Sequence, residues 1–249
     1  MSMTDEEKFQ FDLEGYLIVK GVLTKEELVE LNDIGDENFS YSFNHAMSED
    51  TVSIWGSPFR RLIDHPRIVP YLIELIEPKF RLDHDYCIFM DTDDTRGGLH
   101  GGPAHASGEG DHWYTYRDGV MRNGLTVVTY FLTDAPDGAG GFACVPGSHK
   151  TNFKDLLPDD VRSFKRIPHY VTQPSVAAGD VLIFTEALIH GTVPWRAAHE
   201  RRALLYKYSP GHSTWAKNHY DLTVYDDLTD QQRRIMAPPA VQDRGSVIQ

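Results

Sequence analysis

Cysteine is nearly absent from this chain: the 249 residues contain two, Cys87 and Cys144. That excludes a disulfide framework and any CxxC pair for zinc or dithiol chemistry, so a metal site would have to be built from nitrogen and oxygen. Basic charge is also scarce. With 24 Lys and Arg against 37 Asp and Glu, the formal charge is −13, and such a surface repels phosphate backbones and anionic lipid. Neither nucleic acid nor a membrane surface is an expected partner. No stretch approaches the ~18 uninterrupted apolar residues of a spanning helix. The start, Met1-Ser-Met-Thr-Asp-Glu-Glu7, is acidic where an export signal would be basic and then apolar, so the cytoplasm is the expected location. What the chain does have is histidine, 12 of them, and imidazole with oxygen ligands suits iron, copper, nickel or zinc.

The length fits one large domain. Gly15 to Gly21 reads as a short strand, and Thr24-Lys-Glu-Glu27 has the form of a capping box that opens a helix with Leu28, Leu31 and Ile34 on its buried stripe. Residues 35–61 carry no regular pattern. A second helical pattern runs over Ile68, Val69, Leu72, Ile73, Leu75 and Ile76 and stops before Pro78. Beyond residue 80 the character turns to β. Leu82–Met90, Gly124–Leu132, Gly141–Val145, Val181–Phe184 and Arg202–Tyr208 are short runs rich in β-branched and aromatic residues, separated by glycine, proline and aspartate turns. The pattern predicts a mainly β fold with flanking helices, a sandwich or jelly-roll barrel. Packing elements fill residues 1–80, the jelly-roll core 81–211, and a polar tail 212–249 holds a short helix near Leu228 to Met236 and a mobile end from Pro238.

Gly97-Gly-Leu-His-Gly-Gly102 sets His100 among glycines, which let other groups approach the backbone closely. Ninety residues on, Leu188-Ile-His-Gly-Thr192 puts His190 at the end of an apolar strand, and Arg201 follows eleven later. On a jelly roll, two histidines this far apart in sequence can converge on one metal.

These residues, with Phe11-Asp-Leu-Glu-Gly-Tyr-Leu-Ile-Val-Lys-Gly-Val-Leu23, Gly140-Gly-Phe-Ala-Cys-Val-Pro-Gly-Ser-His-Lys150 and Ala178-Gly-Asp-Val-Leu-Ile-Phe184, resemble the phytanoyl-CoA dioxygenase-like branch of the iron(II)/2-oxoglutarate oxygenases. The resemblance covers most of the chain and implies a double-stranded β-helix, the cupin-like form of the jelly roll, in an oxidoreductase. It also implies iron(II), 2-oxoglutarate and O2 as cofactor and cosubstrates. By its pattern His100 and His190 are metal ligands, Arg201 pairs with the far carboxylate of 2-oxoglutarate, and Thr192 assists the same carboxylate. The chemistry suits the residue types: neutral imidazole binds iron(II), and a guanidinium grips a carboxylate through two parallel hydrogen bonds where lysine offers a point charge. Arg202, next in the strand, would face the other way.

One position departs from the family. The two-histidine, one-carboxylate triad needs an acid two residues after the first histidine, and there the chain has Gly102. The one His-x-Asp pair, His219 and Asp221, lies beyond the distal histidine. Three readings follow. His100-Gly101-Gly102 resembles the His-x-Gly arrangement of the iron/2-oxoglutarate halogenases, where the missing carboxylate opens a coordination position for chloride. Alternatively the enzyme is a hydroxylase whose carboxylate is recruited from Glu109, Asp111 or Glu186. Or the protein no longer turns over and binds a ligand on the same fold, although a degenerate site has no need of Arg201.

The substrate is expected to be a small organic molecule. A coenzyme A thioester would call for clustered basic residues, and outside the barrel the chain offers little beyond isolated pairs such as Arg60-Arg61. Substrate-facing residues are sought in the long segment from Pro103 to Asn123, with His105, His112, Trp113, Tyr114 and Tyr116. His149 is expected to stabilise a turn. A zinc hydrolase on a cupin barrel would also use these histidines, but has no role for Arg201. Nothing in the sequence sets the oligomeric state.

Overall fold

The computed structural model describes residues 2–39, 51–104, 110, 112–242 and 244–247. Among the described residues ten strands are present: β1 Tyr16–Val19, β2 Arg81–Met90, β3 His100–Gly101, β4 Tyr114–Arg117, β5 Val120–Asn123, β6 Thr126–Phe131, β7 Gly141–Cys144, β8 Val181–Thr185, β9 Ile189–Val193 and β10 Arg201–Ser209. Six α-helices accompany them: α1 Asp5–Glu14, α2 Lys25–Asn38, α3 Ser57–Arg60, α4 Val69–Leu75, α5 Asp159–Arg162 and α6 Asp230–Met236. The strands form a five-stranded sheet in the order β1-β8-β6-β10-β2, a three-stranded sheet β3-β9-β7 and the hairpin β4-β5, with antiparallel pairing throughout. The fold is the cupin-type jelly roll that the strand pattern predicts. No helix among the described residues is long and apolar enough to cross a membrane.

Alternation along β10 explains the layering. Ala203 and Leu205 turn inward and pack with Met90, Val127, Phe131, Leu182, Phe184, Leu188 and Trp195 between the sheets. Leu204, Tyr206 and Tyr208 turn outward and join Phe11, Leu31, Phe59, Ile63 and Leu72 beneath the N-terminal helices. Three buried tyrosines fasten that layer: Tyr130 donates to Leu62 O at 2.9 Å, Tyr206 to Phe59 O at 2.8 Å and Tyr208 to Ile63 O at 2.9 Å. The carbonyls at and just after the end of α3 thereby gain side-chain donors inside the core. A smaller apolar cluster, including Leu99, Ile189, Val161 and Val171, covers the outer face of the three-stranded sheet.

The structure departs from the sequence expectations in four places. Helix α1 was not anticipated, because Phe11 is its one buried side chain; the capping box of Thr4 and Glu7 starts it. Residues 52–60 contain a 3-10 turn and α3 where no regular structure was expected. The segment from Pro103 to Asn123 is not wholly loop, since β4 and β5 pair across Asp118-Gly119, both at positive φ (53° and 80°), a type of turn that favours hairpins. Where a mobile end from Pro238 was expected, residues 244–247 are packed against the domain. Arg244 is buried and donates to the carbonyls of Lys79, Phe80, Arg234, Ala237 and Pro238, and Val247 enters the core.

Candidate metal and cosubstrate site

His100 and His190 are register partners across β3 and β9, so their side chains leave the same face, and their ring centroids are 4.4 Å apart. Each ring donates from Nδ1 to the carbonyl two residues earlier, His100 to Gly98 O and His190 to Leu188 O, both at 2.8 Å. A matched pair of such bonds fixes the tautomer that leaves the Nε2 lone pair for a metal. His190 is buried against Phe184, and burial pushes its pKa down to about 3, further helped by His100 and opposed by the field of Glu186, so the ring is neutral at neutral pH. His100 stays exposed.

Glu186 lies on the tight turn from β8 to β9 and is 3% exposed. Its Oε1 accepts from Lys207 Nζ at 2.6 Å, while Oε2 lies 3.7 Å from His190 Nε2 and 3.8 Å from His112 Nε2. Burial by itself would raise the Glu186 carboxyl, but Lys207, then His190 and His112, hold it well below the ordinary carboxylate range. Lys207 is raised in turn: burial would lower it, and the adjacent carboxylate outweighs that. Its Nζ sits 5.5 Å from the Tyr86 ring centroid, and Tyr86 stacks on His84. Among the described residues, no three His, Cys, Asp or Glu side chains already close on a common metal position.

Arg201 projects between the sheets from the start of β10 and is 3% exposed. Its Nη1 reaches Met90 Sδ at 3.9 Å, its Nε has no hydrogen-bond partner, and no ion pair to it forms among the described residues. Burial, with Arg96 adding to it, pushes the guanidinium down to about 10. A buried cation without an anion is costly, and the arrangement calls for a ligand carboxylate. Space for the side chain comes from Gly141 in β7, where a Cβ would lie 2.9 Å from Arg201 Nε. Thr192, half-buried, shares the face of His190 two residues along β9. Arg202 faces outward, as alternation requires, and pairs with Asp36 and Glu200 at 2.5 Å each.

Gly101 and Gly102 have φ of +79° and +90°, so the strand bends immediately after His100. A Cβ at Gly102 would lie 3.1 Å from Lys154 Cδ and 3.2 Å from Ile189 Cγ1. Ile189 precedes His190 in β9 and faces away from it, so position 102 is directed off the histidine face. Glu109, Asp111 and His105 lie outside the described residues. His112 stacks on Trp215 with centroids 4.7 Å apart and turns its Nε2 to Glu186, whereas Tyr114 donates to Asp12 and Tyr116 points outward. His149 donates from Nε2 to Asp12 O at 3.1 Å inside the 148–150 turn. Asp221 caps Thr223, consistent with a chance His-x-Asp spacing. Lys207 and Tyr86 escaped the sequence reading. A period-two count along β10 from Arg201 through Ala203 and Leu205 would have put Lys207 on the inner face.

The phytanoyl-CoA dioxygenase (PhyH) family model matches residues 82–203, a span that includes both histidines and Arg201. No curated protein matches the chain. Among solved structures, HygX from Streptomyces hygroscopicus with nickel, 2-oxoglutarate and hygromycin B bound is 25% identical, with 85% of this chain and 89% of that one covered and a TM-score of 0.74. SnoK, a non-haem alpha-ketoglutarate-dependent carbocyclase from nogalamycin biosynthesis, is 18% identical over 88% of each chain, with a TM-score of 0.62. AviO1 from Streptomyces viridochromogenes is 16% identical over 87% of this chain and 99% of that one, with a TM-score of 0.59. These structures share the fold of the chain over nearly its whole length.

Proposed function

We propose that the chain, whose residues 82–203 match the phytanoyl-CoA dioxygenase family model, is a 2-oxoglutarate-dependent non-haem iron enzyme that oxidises a C–H bond of a small organic substrate. The observation that carries this reading is Arg201: a buried guanidinium with no carboxylate partner among the described residues, on the same barrel interior as two histidines whose Nε2 lone pairs are left free. The residues fit the group. His100 and His190 would hold iron(II), Arg201 would take the far carboxylate of 2-oxoglutarate, and Thr192 would offer it a hydroxyl. Bound iron, with 2-oxoglutarate and O2, supplies the oxidising power to break an unactivated C–H bond. The chain's part is to hold the cosubstrate at a fixed angle and keep water from the Arg201 end, which Phe131, Met90 and Trp195 line with apolar surface.

Chloride transfer is the second reading, and it rests on Gly102. Position 102 faces Lys154 and Ile189 rather than the imidazoles, which favours oxygen chemistry with a carboxylate from elsewhere. A coenzyme A substrate finds no support: Arg60 pairs with Asp227 and Arg61 with Glu30, at 2.5 Å each, so neither waits for a phosphate. HygX binds hygromycin B, which supports a small polar molecule as the substrate class. The test is anaerobic titration of the protein with iron(II) and 2-oxoglutarate, with and without chloride, followed through the visible charge-transfer band. A band indifferent to chloride is expected; one that shifts with chloride favours halogenation, and no band at all removes the oxygenase reading.

A further inference from the structure

We propose that Glu186 is the protein carboxylate of the metal site, held in place by Lys207, and that it replaces the acid missing at Gly102. The inference rests on the two-histidine metal reading above and adds the third ligand to it. Glu186 and His190 stand four residues apart on the β8–β9 connection, which is fixed by Glu186 N donating to Leu125 O at 2.9 Å and Leu188 N to Thr185 O at 2.8 Å. The carboxylate is therefore held by a tight turn between two sheets, not by a free loop.

Its two oxygens have different surroundings. Oε1 is occupied by Lys207 at 2.6 Å. Among the described residues Oε2 accepts no hydrogen bond, and it faces His190 Nε2 at 3.7 Å, beyond hydrogen-bond reach. Because His190 spends its Nδ1–H on Leu188 O, Nε2 turns a lone pair toward an anionic oxygen. Two acceptors facing each other inside a protein repel unless a cation lies between them. The separation suits one: donor atoms sharing a metal at about 2.1 Å lie roughly 3 Å apart in octahedral and 3.5 Å apart in tetrahedral geometry. Closing from 3.7 Å takes about 0.2 Å for tetrahedral and about 0.7 Å for octahedral geometry. Lys207 neutralises the outer oxygen and blocks rotation of the carboxylate, so it acts as a positioning residue.

The experiment is titration of the metal-free full chain with cobalt(II), read by calorimetry and by the visible ligand-field spectrum, for the wild type, Glu186→Gln, Glu186→Asp and Lys207→Met, with the surface variant Asp160→Asn as control. Glu186→Gln should weaken cobalt binding at least tenfold and change the spectrum, since one anionic ligand is replaced by an amide. Glu186→Asp keeps the charge opposite Lys207 but withdraws the oxygen by one methylene. It should weaken binding too, and it tests the proposal should the Gln variant not fold. Lys207→Met should leave the ligand set but loosen it, with a smaller loss and a broadened spectrum. Wild-type affinity and spectrum in folded Glu186→Gln or Glu186→Asp would overturn the assignment of Glu186 while leaving His100 and His190 as ligands. Absence of cobalt binding by the wild type would instead overturn the metal reading itself, and this proposal with it.

Discussion

Replacing Arg201 by methionine should make the ligand-free protein more stable and at the same time insensitive to 2-oxoglutarate. Arg201 is almost wholly buried, and its guanidinium is pushed down from its ordinary value to about 10, chiefly by desolvation. At about 1.4 kcal/mol for each factor of ten, holding it charged costs the folded state about 3 kcal/mol. A cation whose folded pKa is depressed carries that cost in full at every pH below the folded value, so it applies at neutral pH and is relieved only above about 10. Methionine keeps most of the stem's packing but loses the contacts with the Phe131 ring and the Met90 sulfur, worth about 1 kcal/mol. The net gain is about 2 kcal/mol, or roughly 4–8 °C in Tm for a chain of this size. The wild type should recover the difference only with ligand, because 2-oxoglutarate at a hundred times its Kd adds about 2.7 kcal/mol to a protein that binds it in the folded state alone. Thermal melts of both proteins loaded with nickel(II), with and without 2-oxoglutarate, measure this directly. If Arg201→Met melts below the wild type without ligand and still rises on adding 2-oxoglutarate, Arg201 is a structural residue and the cosubstrate assignment fails.

Gly141→Ala should abolish the 2-oxoglutarate-dependent shift in Tm, because its Cβ would lie 2.9 Å from Arg201 Nε at a φ of +81°; an unchanged shift would mean that the guanidinium lies elsewhere when ligand binds. His149 should make the protein acid-sensitive. Its folded pKa is pushed down to about 4 by burial from 6.5, so the unfolded chain takes up the proton first and stability falls as pH drops from 6.5 toward 4. Urea unfolding should show about 2 kcal/mol less stability at pH 5 than at pH 7 from this residue, and His149→Gln should lack that increment. Arg244→Ala should destabilise by about 2 kcal/mol and expose the C-terminus to proteolysis, since several carbonyls lose a buried donor; a cleavage rate equal to wild type would show that the tail docks without it.

Much of this protein was legible before any coordinates. The β-branched and aromatic runs marked β2, β6, β7, β8 and most of β10, and the Thr24–Glu27 capping box marked α2, because these signals are local: a few neighbouring residues settle the backbone. The glycine setting of His100, the apolar strand carrying His190 and the arginine eleven later likewise sit in short segments, and alternation along one strand separated Arg201 from Arg202. Hairpin β4-β5 could have been found from Asp118-Gly119, and α1 from Thr4 and Glu7; both signals were present but outweighed by polar surroundings.

What the sequence could not contain is register. The 4.4 Å approach of two rings ninety residues apart follows from the pairing of His100 with His190 across β3 and β9. The ion pair between Glu186 and Lys207 follows from β8 and β10 flanking β6 in one sheet. The direction of position 102 depends on two positive φ angles that no residue count reveals. The strand pattern together with the family resemblance pointed to a jelly roll with two histidines, an arginine, and no acid two residues after the first histidine. Which carboxylate faces the vacant lone pair of His190 was decided only by the tertiary structure, because electrostatic contact depends on distance in space and the sequence records distance only along the chain.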